Sequence, residues 1–194
     1  MCGRYALEAD IDELIERYKA IVMDSNFNAK PEIFPTNTVA VVRQVDHVQI
    51  DNLKWGFMPS FAKKPLINAR AETVDVKPTF KDSFFNRRCI IPATNFFEWE
   101  KVDDKKIKRS IKIMEEKIFS IAGLYNTFFD QEGNKYEAFT ILTTQSNQSM
   151  EHIHDRMPVI IPKGAEEIWL DKENRNIVAL KELLIPWKTD MIYQ

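Results

Sequence analysis

The stretch RCIIPATNFFEWEKVDDKKIKRSIKIM, residues 88–114, decides the fold because its apolar residues follow the period of strands and not of helices. Residues 88–93 form an apolar run, and residues 96–102 form a second run that is rich in aromatic side chains. In residues 106–114 isoleucine alternates with polar residues, which is typical of a strand with one buried face. The stretch therefore predicts three successive strands.

The rest of the chain alternates between strand patterns and short helical patterns. Many short strands with short helices at the periphery predict an α+β fold, with a single domain over residues 1–194 built on a curled, barrel-like mixed sheet. In that sheet Gly123 predicts a close approach between backbones. The other predicted strands are 38–45, 48–55, 117–125, 136–144 and 156–161, the predicted helices are 10–22, 78–85, 164–170 and 178–184, and residues 26–37 are predicted to be irregular.

The composition is that of a soluble globular domain: of 194 residues, 44% are hydrophobic and 29% are charged. No apolar run reaches the length of a membrane span, and no signal-peptide pattern is present. Cys2 and Cys89, 87 positions apart, fit neither a disulfide framework nor a zinc site. We therefore expect a cytoplasmic monomer with no metal, cofactor or membrane partner. The net charge of −2 argues against a coat on long duplex DNA, but it allows a local phosphate-binding groove.

Cys2 carries the most distinctive chemistry in the sequence. Removal of Met1 would leave a cysteine with an amine and a thiol on adjacent carbons. An α-amine titrates near ~7.7–8.0 and a thiol near ~8.5, so both nucleophiles are partly available at neutral pH. Such an aminothiol can attack an aldehyde twice, because the amine forms an imine and the thiol then closes a thiazolidine ring. The alternative is an ordinary residue in a frayed terminus.

A second candidate segment is Ile67 to Glu72. If the segment is extended, Asn68, Arg70 and Glu72 point to one face and two alanines point to the other. The polar face is able to bind a ligand. A solvated edge strand would give the same pattern, so the segment by itself leaves both interpretations open.

Two further segments each contain a candidate acid or base. Glu98 stands between two aromatic residues, where a carboxyl group is a candidate for a raised pKa and for proton transfer. A solvated glutamate on a half-buried strand is the alternative.

His154 precedes Asp155 and Arg156, which suits a general acid or base beside a phosphate clamp. A histidine that only bonds to the backbone at a helix end would fit the same sequence.

These segments belong to a longer ordered set of motifs. The set comprises Cys2-Gly3-Arg4, WGFMPS at 55–60, NARAET at 68–73, RRCIIPA at 87–93, FEW at 97–99, AGL at 122–124 and IHDRMP at 153–158. On these motifs the chain resembles the SOS response-associated peptidase (SRAP) family from residue 2 to about residue 161.

The resemblance implies a sensor of abasic sites in single-stranded DNA, which bonds covalently and reversibly to the ring-opened sugar through Cys2. It implies that Glu98 assists proton transfer, that His154 assists opening of the sugar ring, and that Asn68 orients the adduct by hydrogen bonding. The residues implied to contact DNA are Arg4, Arg70 and Arg156 at phosphates and Phe61 at a neighbouring base. Relatives often have tryptophan at the position of Phe61.

Two other functions fit the same residues. A cysteine peptidase, acting in trans or on its own N-terminus, would use the Cys2 thiol as nucleophile with a histidine and an asparagine nearby. A non-catalytic module that binds single strands would use only the arginine and aromatic positions.

Overall fold

The elements of secondary structure are mostly short strands. The computed structural model describes residues 2–24, 27, 29–114, 116–188 and 191–193. The strands are β1 (Arg4–Leu7), β2 (Ile21–Val22), β3 (Lys30–Ile33), β4 (Thr38–Gln44), β5 (Val48–Trp55), β6 (Asn68–Arg70), β7 (Arg88–Ala93), β8 (Asn95–Val102), β9 (Lys105–Ile113), β10 (Phe119–Phe129), β11 (Lys135–Gln145), β12 (Arg156–Pro158), β13 (Ile160–Ile161) and β14 (Met191–Tyr193). The helices are α1 (Ile11–Tyr18), α2 (Pro78–Asn86), α3 (Glu166–Leu170) and α4 (Ile177–Glu182), with a 3-10 turn at Lys163–Ala165. Among these residues no helix has the length and apolar character needed to cross a membrane.

Five strands of the larger sheet close into a barrel. β4 pairs antiparallel with β5 and β7, and β10 pairs antiparallel with β7 and β11. A parallel pairing between β11 and β5 completes the ring, with Phe139 opposite Trp55. The rings of these two residues stack at 6.1 Å, so large aromatic side chains pack where the barrel closes.

The smaller sheet has five strands in the order β14-β9-β8-β1-β3. Its strand β1 holds the N-terminal residues, and its strand β8 directly follows barrel strand β7. Tyr5 on β1 is fully buried and meets Trp55 edge-on at 5.3 Å. The smaller sheet is therefore packed against the barrel, and the first residues of the chain lie at the junction between them.

The predicted α+β class, with a curled mixed sheet and peripheral short helices, is confirmed.

The predicted helix 10–22 is too long. A capping box between Asp10 and Glu13 starts α1, but Lys19 adopts a left-handed conformation with φ of 49° and ends it. Residues 21–22 then pair with β5 as a short strand. A left-handed residue cannot continue a helix, and nothing in the helical pattern reveals it.

The prediction of irregular structure over residues 26–37 is wrong for β3. Pro31 argues against a strand, since proline cannot donate a hydrogen bond to a neighbour. The strand nevertheless forms because β3 lies at the edge of its sheet, where one side of the backbone needs no partner. The predicted strand 156–161 is divided in the structure: β12 pairs with β11, whereas β13 pairs with β10.

Gly123 confirms the predicted close approach. A β-carbon there would overlap the Cδ1 atom of buried Ile91 and would lie 3.1 Å from the carbonyl oxygen of Thr140. We expect Gly123→Ala to lower the free energy of unfolding by about 1–3 kcal/mol, the usual cost of overpacking a core. Gly164→Ala is the matched control, because a β-carbon there meets nothing within 4 Å. Denaturant melts of both variants measure the effect, and equal stabilities would contradict the prediction.

Candidate active site

Cys2 is buried at the junction of the two sheets. It precedes β1, whose Arg4 lies opposite Phe97 of β8. Continued past Arg4, this antiparallel register brings the residues before β1 alongside Glu98, and the charge of Glu98 acts on the Cys2 thiol. The Cys2 side chain is 0% exposed, and its thiol lies 3.8 Å from the carbonyl oxygen of Arg4. Burial raises the pKa of the Cys2 thiol far above its ordinary value, and the charge of Glu98 raises it further. The resting thiol is thus protonated.

Glu98 is a buried carboxyl group, not the solvated glutamate that was the alternative. It is only 3% exposed, and burial raises the pKa of its carboxyl group. The positive charge of His154 opposes this rise, which places His154 within electrostatic reach of Glu98. A carboxyl group with a raised pKa can hold a proton nearer to neutral pH and release it to a bound molecule.

Asn68 fixes the backbone of Cys2 from the barrel side. It stands on β6, which pairs parallel to β11. Its Nδ2 atom donates a hydrogen bond to the carbonyl oxygen of Cys2 at 3.0 Å. Its Oδ1 atom is buried and accepts no hydrogen bond from the residues that the structure describes. An amide oxygen in that state can accept a hydrogen bond from a ligand beside Cys2. The alanines at 69 and 71 are buried, as the alternating pattern predicts.

His154 is held by the loop that leads into β12. Its backbone N–H donates to the carbonyl oxygen of Met150 at 3.0 Å. Its Nδ1 atom lies 3.0 Å from the backbone nitrogen of Arg156 and 2.8 Å from Oδ1 of Asp155. The first contact needs a lone pair on Nδ1, whereas the second needs a proton there. The neutral ring is therefore matched to Arg156 and the protonated ring to Asp155, so the loop accommodates both protonation states.

Two of the three predicted phosphate-binding arginines form ion pairs within the protein. Arg156 makes two hydrogen bonds to the carboxylate of Glu72, at 2.5 and 3.0 Å, and one to the carbonyl oxygen of Thr143 at 2.6 Å. The bond from Arg156 lowers the pKa of Glu72. Arg4 pairs with Glu32 at 2.9 Å. Glu32 was missed because it lies in the segment predicted to be irregular.

Arg70 and Phe61 are exposed. Arg70 lines a polar groove of about 440 Å³, together with Asp155 and Arg156 of the His154 loop. Phe61 is 69% exposed in the loop between β5 and β6. Both side chains are accessible to a large ligand. In the described part of the chain, no group of three or more His, Cys, Asp or Glu side chains is arranged to hold a metal ion.

The sequence and the fold both have close relatives. The family model "SOS response associated peptidase (SRAP)" matches residues 1–194. The chain is 37% identical over 199 residues to the abasic site processing protein YoqW of Bacillus subtilis, covering 98% of this chain and 89% of that protein. It is 32% identical over 180 residues to the abasic site processing protein YedK of Escherichia coli, covering 89% and 81%. A crystal structure of a protein from Bacteroides thetaiotaomicron matches with a TM-score of 0.88 at 28% identity, covering 99% of this chain and 90% of that one. The chain therefore belongs to the SOS response associated peptidase family.

Proposed function

We propose that this protein captures abasic sites in single-stranded DNA by forming a thiazolidine crosslink through Cys2 after Met1 has been removed. The observation that carries the proposal is the burial of Cys2 beside Glu98, with Asn68 bonded to its carbonyl oxygen and His154 in reach of Glu98. The relatives named above are abasic site processing proteins, and this supports an abasic site as the substrate. Met1 itself lies outside the described residues.

The protonation state of the site supports an order of steps. Because burial raises the pKa of the thiol, the amine is the better first nucleophile. It adds to the sugar aldehyde, and the resulting hydroxyl leaves as water when Glu98 donates a proton. The imine carbon then accepts the Cys2 sulfur, and the Glu98 carboxylate takes the thiol proton. Aldehyde and aminothiol thus become a thiazolidine and one water, and Glu98 regains its proton.

His154 and Asn68 take supporting roles in this proposal. An abasic sugar is mostly a closed ring, and a base must remove the proton of its hydroxyl group before the aldehyde appears. The loop that carries His154 accommodates the ring with and without a proton on Nδ1, which suits this step. The buried Oδ1 of Asn68 can accept a hydrogen bond from the opened sugar.

The environment of the thiol argues against the peptidase alternative. Thiol peptidases attack with a thiolate, and this requires a lowered cysteine pKa. Here burial and Glu98 both raise it.

A denaturing gel tests the proposal directly. Protein whose free Cys2 amine has been verified by mass spectrometry is incubated with a short single strand that carries one abasic site. We expect a heat-stable shifted band. Matched strands carry either an ordinary nucleotide or a tetrahydrofuran abasic analogue, which cannot open to an aldehyde. A missing band with the true abasic strand, or an equal band with the analogue, would overturn the proposal.

A further inference from the structure

The loop that carries His154 is closed by hydrogen bonds between its two ends. It runs from Ser146, after β11, to Asp155, before β12, and we call residues 146–155 the histidine loop. The backbone N–H of Ser146 donates to the carbonyl oxygen of Asp155 at 3.1 Å, and the hydroxyl group of Ser146 donates to the carbonyl oxygen of His154. Because the ends are joined in this way, a displacement of the loop displaces His154 with it.

Asn147 connects the histidine loop to the C-terminal part of the chain. Its Oδ1 atom accepts hydrogen bonds from the backbone N–H of Met150 at 3.1 Å and from the hydroxyl group of Ser149 at 2.9 Å. Its Nδ2 atom donates to the carbonyl oxygen of Trp187 at 2.8 Å, 40 residues further along the chain. These partners fix the orientation of the amide, since N–H and O–H donors need its oxygen and a carbonyl oxygen needs its nitrogen. One side chain thus caps the turn that leads to His154 and connects that turn to a distant segment.

The segment that accepts this bond is itself held firmly. Trp187 follows α4 and packs against the hydrophobic core. On α4, Leu180 is 0% exposed. The next residue, Lys181, donates hydrogen bonds to the carbonyl oxygens of Ala71 and Glu72, both at 3.1 Å. A hydrogen bond holds a loop in place only if its other end is fixed, and these contacts fix α4 and the residues that follow it.

A cavity of about 490 Å³ lies between the histidine loop and this segment. It is lined by residues 146–149 and Glu151 on the side of the loop and by residues 185–188 on the other side. Packing therefore leaves room for the loop to move. The exposed rings of His152 and Tyr193 also meet, at 5.3 Å, but a contact between exposed rings tolerates sliding. A hydrogen bond requires a distance of about 2.9 Å and a nearly linear geometry, so the amide bond across the cavity is the stronger restraint on position.

We propose that Asn147 is a positioning residue for the reaction, which places the imidazole ring of His154 by connecting the histidine loop to the carbonyl oxygen of Trp187. The inference rests on the proposed function, in which His154 assists opening of the abasic sugar. A proton is transferred efficiently only over a hydrogen-bond distance, and a displacement of about 1 Å can slow a reaction by on the order of a hundredfold. Asn147 acts through His154 and needs no contact with the sugar.

The variant Asn147→Ser separates the two functions of the amide. Serine is also a good cap, so its hydroxyl group can still accept from the N–H of Met150, but it is too short to reach the carbonyl oxygen of Trp187. Asn174→Ser is the matched control. Asn174 also accepts from a backbone N–H, at 3.1 Å, and donates to a backbone carbonyl oxygen, at 3.3 Å, but it stands in the turn between α3 and α4.

Two single strands identify the step that is affected. One carries an abasic site, whose sugar ring must open before the aldehyde appears. The other carries a linear aldehyde with no hydroxyl group able to close a ring, so it needs no ring opening. Denaturing gels under single-turnover conditions give a crosslinking rate for each strand. We expect Asn147→Ser to slow the abasic strand about tenfold and the linear aldehyde by less than about twofold, whereas Asn174→Ser should change neither rate.

A double variant shows whether Asn147 acts through His154. His154→Gln alone should also slow the abasic strand selectively. Once the imidazole ring is absent, Asn147→Ser should have no further effect, so the two losses should not add. A general folding defect would instead slow both strands. Equal slowing of both strands, no slowing by Asn147→Ser, an equal effect of Asn174→Ser, or additive losses in the double variant would each overturn the positioning role.

The parent protein separates this inference from the proposed function. If it crosslinks both strands and Asn147→Ser does not slow the abasic strand selectively, the positioning role is wrong and the proposed function stands. If the parent protein crosslinks neither strand, the proposed function is refuted and the positioning role falls with it.

Discussion

Cys2→Ser is expected to abolish the heat-stable crosslink while it preserves a reducible one. The variant keeps the α-amine, so an imine with the abasic aldehyde can still form. The serine hydroxyl is a far weaker nucleophile than a thiol, so the ring does not close and the imine hydrolyses during heating. Treatment with cyanoborohydride before denaturation reduces the imine to a stable amine. We therefore expect complete loss of the band without the reductant and a clear band with it.

Cys89→Ala is the matched control for this experiment. Cys89 is the other cysteine of the chain and is also fully buried, but it stands on β7 in the barrel. Its loss should leave the crosslink unchanged. A heat-stable band from Cys2→Ser, or loss of the band from Cys89→Ala in protein that melts like the parent, would show that the thiol of Cys2 does not close the adduct.

Glu98→Gln should slow crosslinking by about a hundredfold, within the range that a positioned general acid contributes. The glutamine keeps the shape of the side chain but has no proton to give to the departing hydroxyl. The pH profile should change as well. In the parent protein Glu98 must be protonated and the amine unprotonated, which gives a bell-shaped dependence. Without Glu98 the rate should rise as the amine loses its proton and then stay level.

The stability of the same variant provides a second measurement. Burial holds the pKa of Glu98 above its unfolded value, so between the two pKa values the native state binds more protons than the unfolded state. The contribution of Glu98 to stability is therefore lost as pH rises through that interval. Glu98→Gln should remove this loss and be at least as stable as the parent at neutral pH.

Glu100→Gln on the same strand is the matched control, because Glu100 pairs with Arg109 away from Cys2. Single-turnover gels across a pH series and denaturant melts give both readouts. An unchanged rate in Glu98→Gln, or an equal loss of rate in Glu100→Gln, would exclude Glu98 as the proton donor.

The sequence predicts the longer strands well, but it predicts the short strands β2 and β3 and the pairing between distant strands poorly. Alternation in residues 106–114 and the apolar run before Pro92 each reflect local burial, which a short window of sequence records. The closure of the barrel depends on Phe139 meeting Trp55, 84 positions earlier. No local pattern encodes such a contact. The left-handed Lys19 is a similar case, because its side chain gives no hint of its conformation.

In the candidate site, too, the sequence predicts the local features but not the contacts between distant residues. The motif around Glu98 predicts a carboxyl group with unusual chemistry, and its burial agrees with that interpretation. The ion pairs of Arg4 with Glu32 and of Arg156 with Glu72 join residues 28 and 84 positions apart. The sequence motifs identify the two arginines but not the carboxylates that form ion pairs with them, because those carboxylates come from other strands and turns.

The arrangement of the site along the chain also sets a delay in its assembly during synthesis. Cys2 is made at the start, whereas His154 follows 152 residues later. At about 5–20 residues per second, roughly 8–30 s pass between the two on the ribosome. Strand β8, which pairs with β1 and carries Glu98, is made earlier in that interval, 96 residues after Cys2, and until then the nascent N-terminus lacks this partner strand. Under the proposed function, the removal of Met1 that frees the Cys2 amine can take place in this period, before folding buries Cys2.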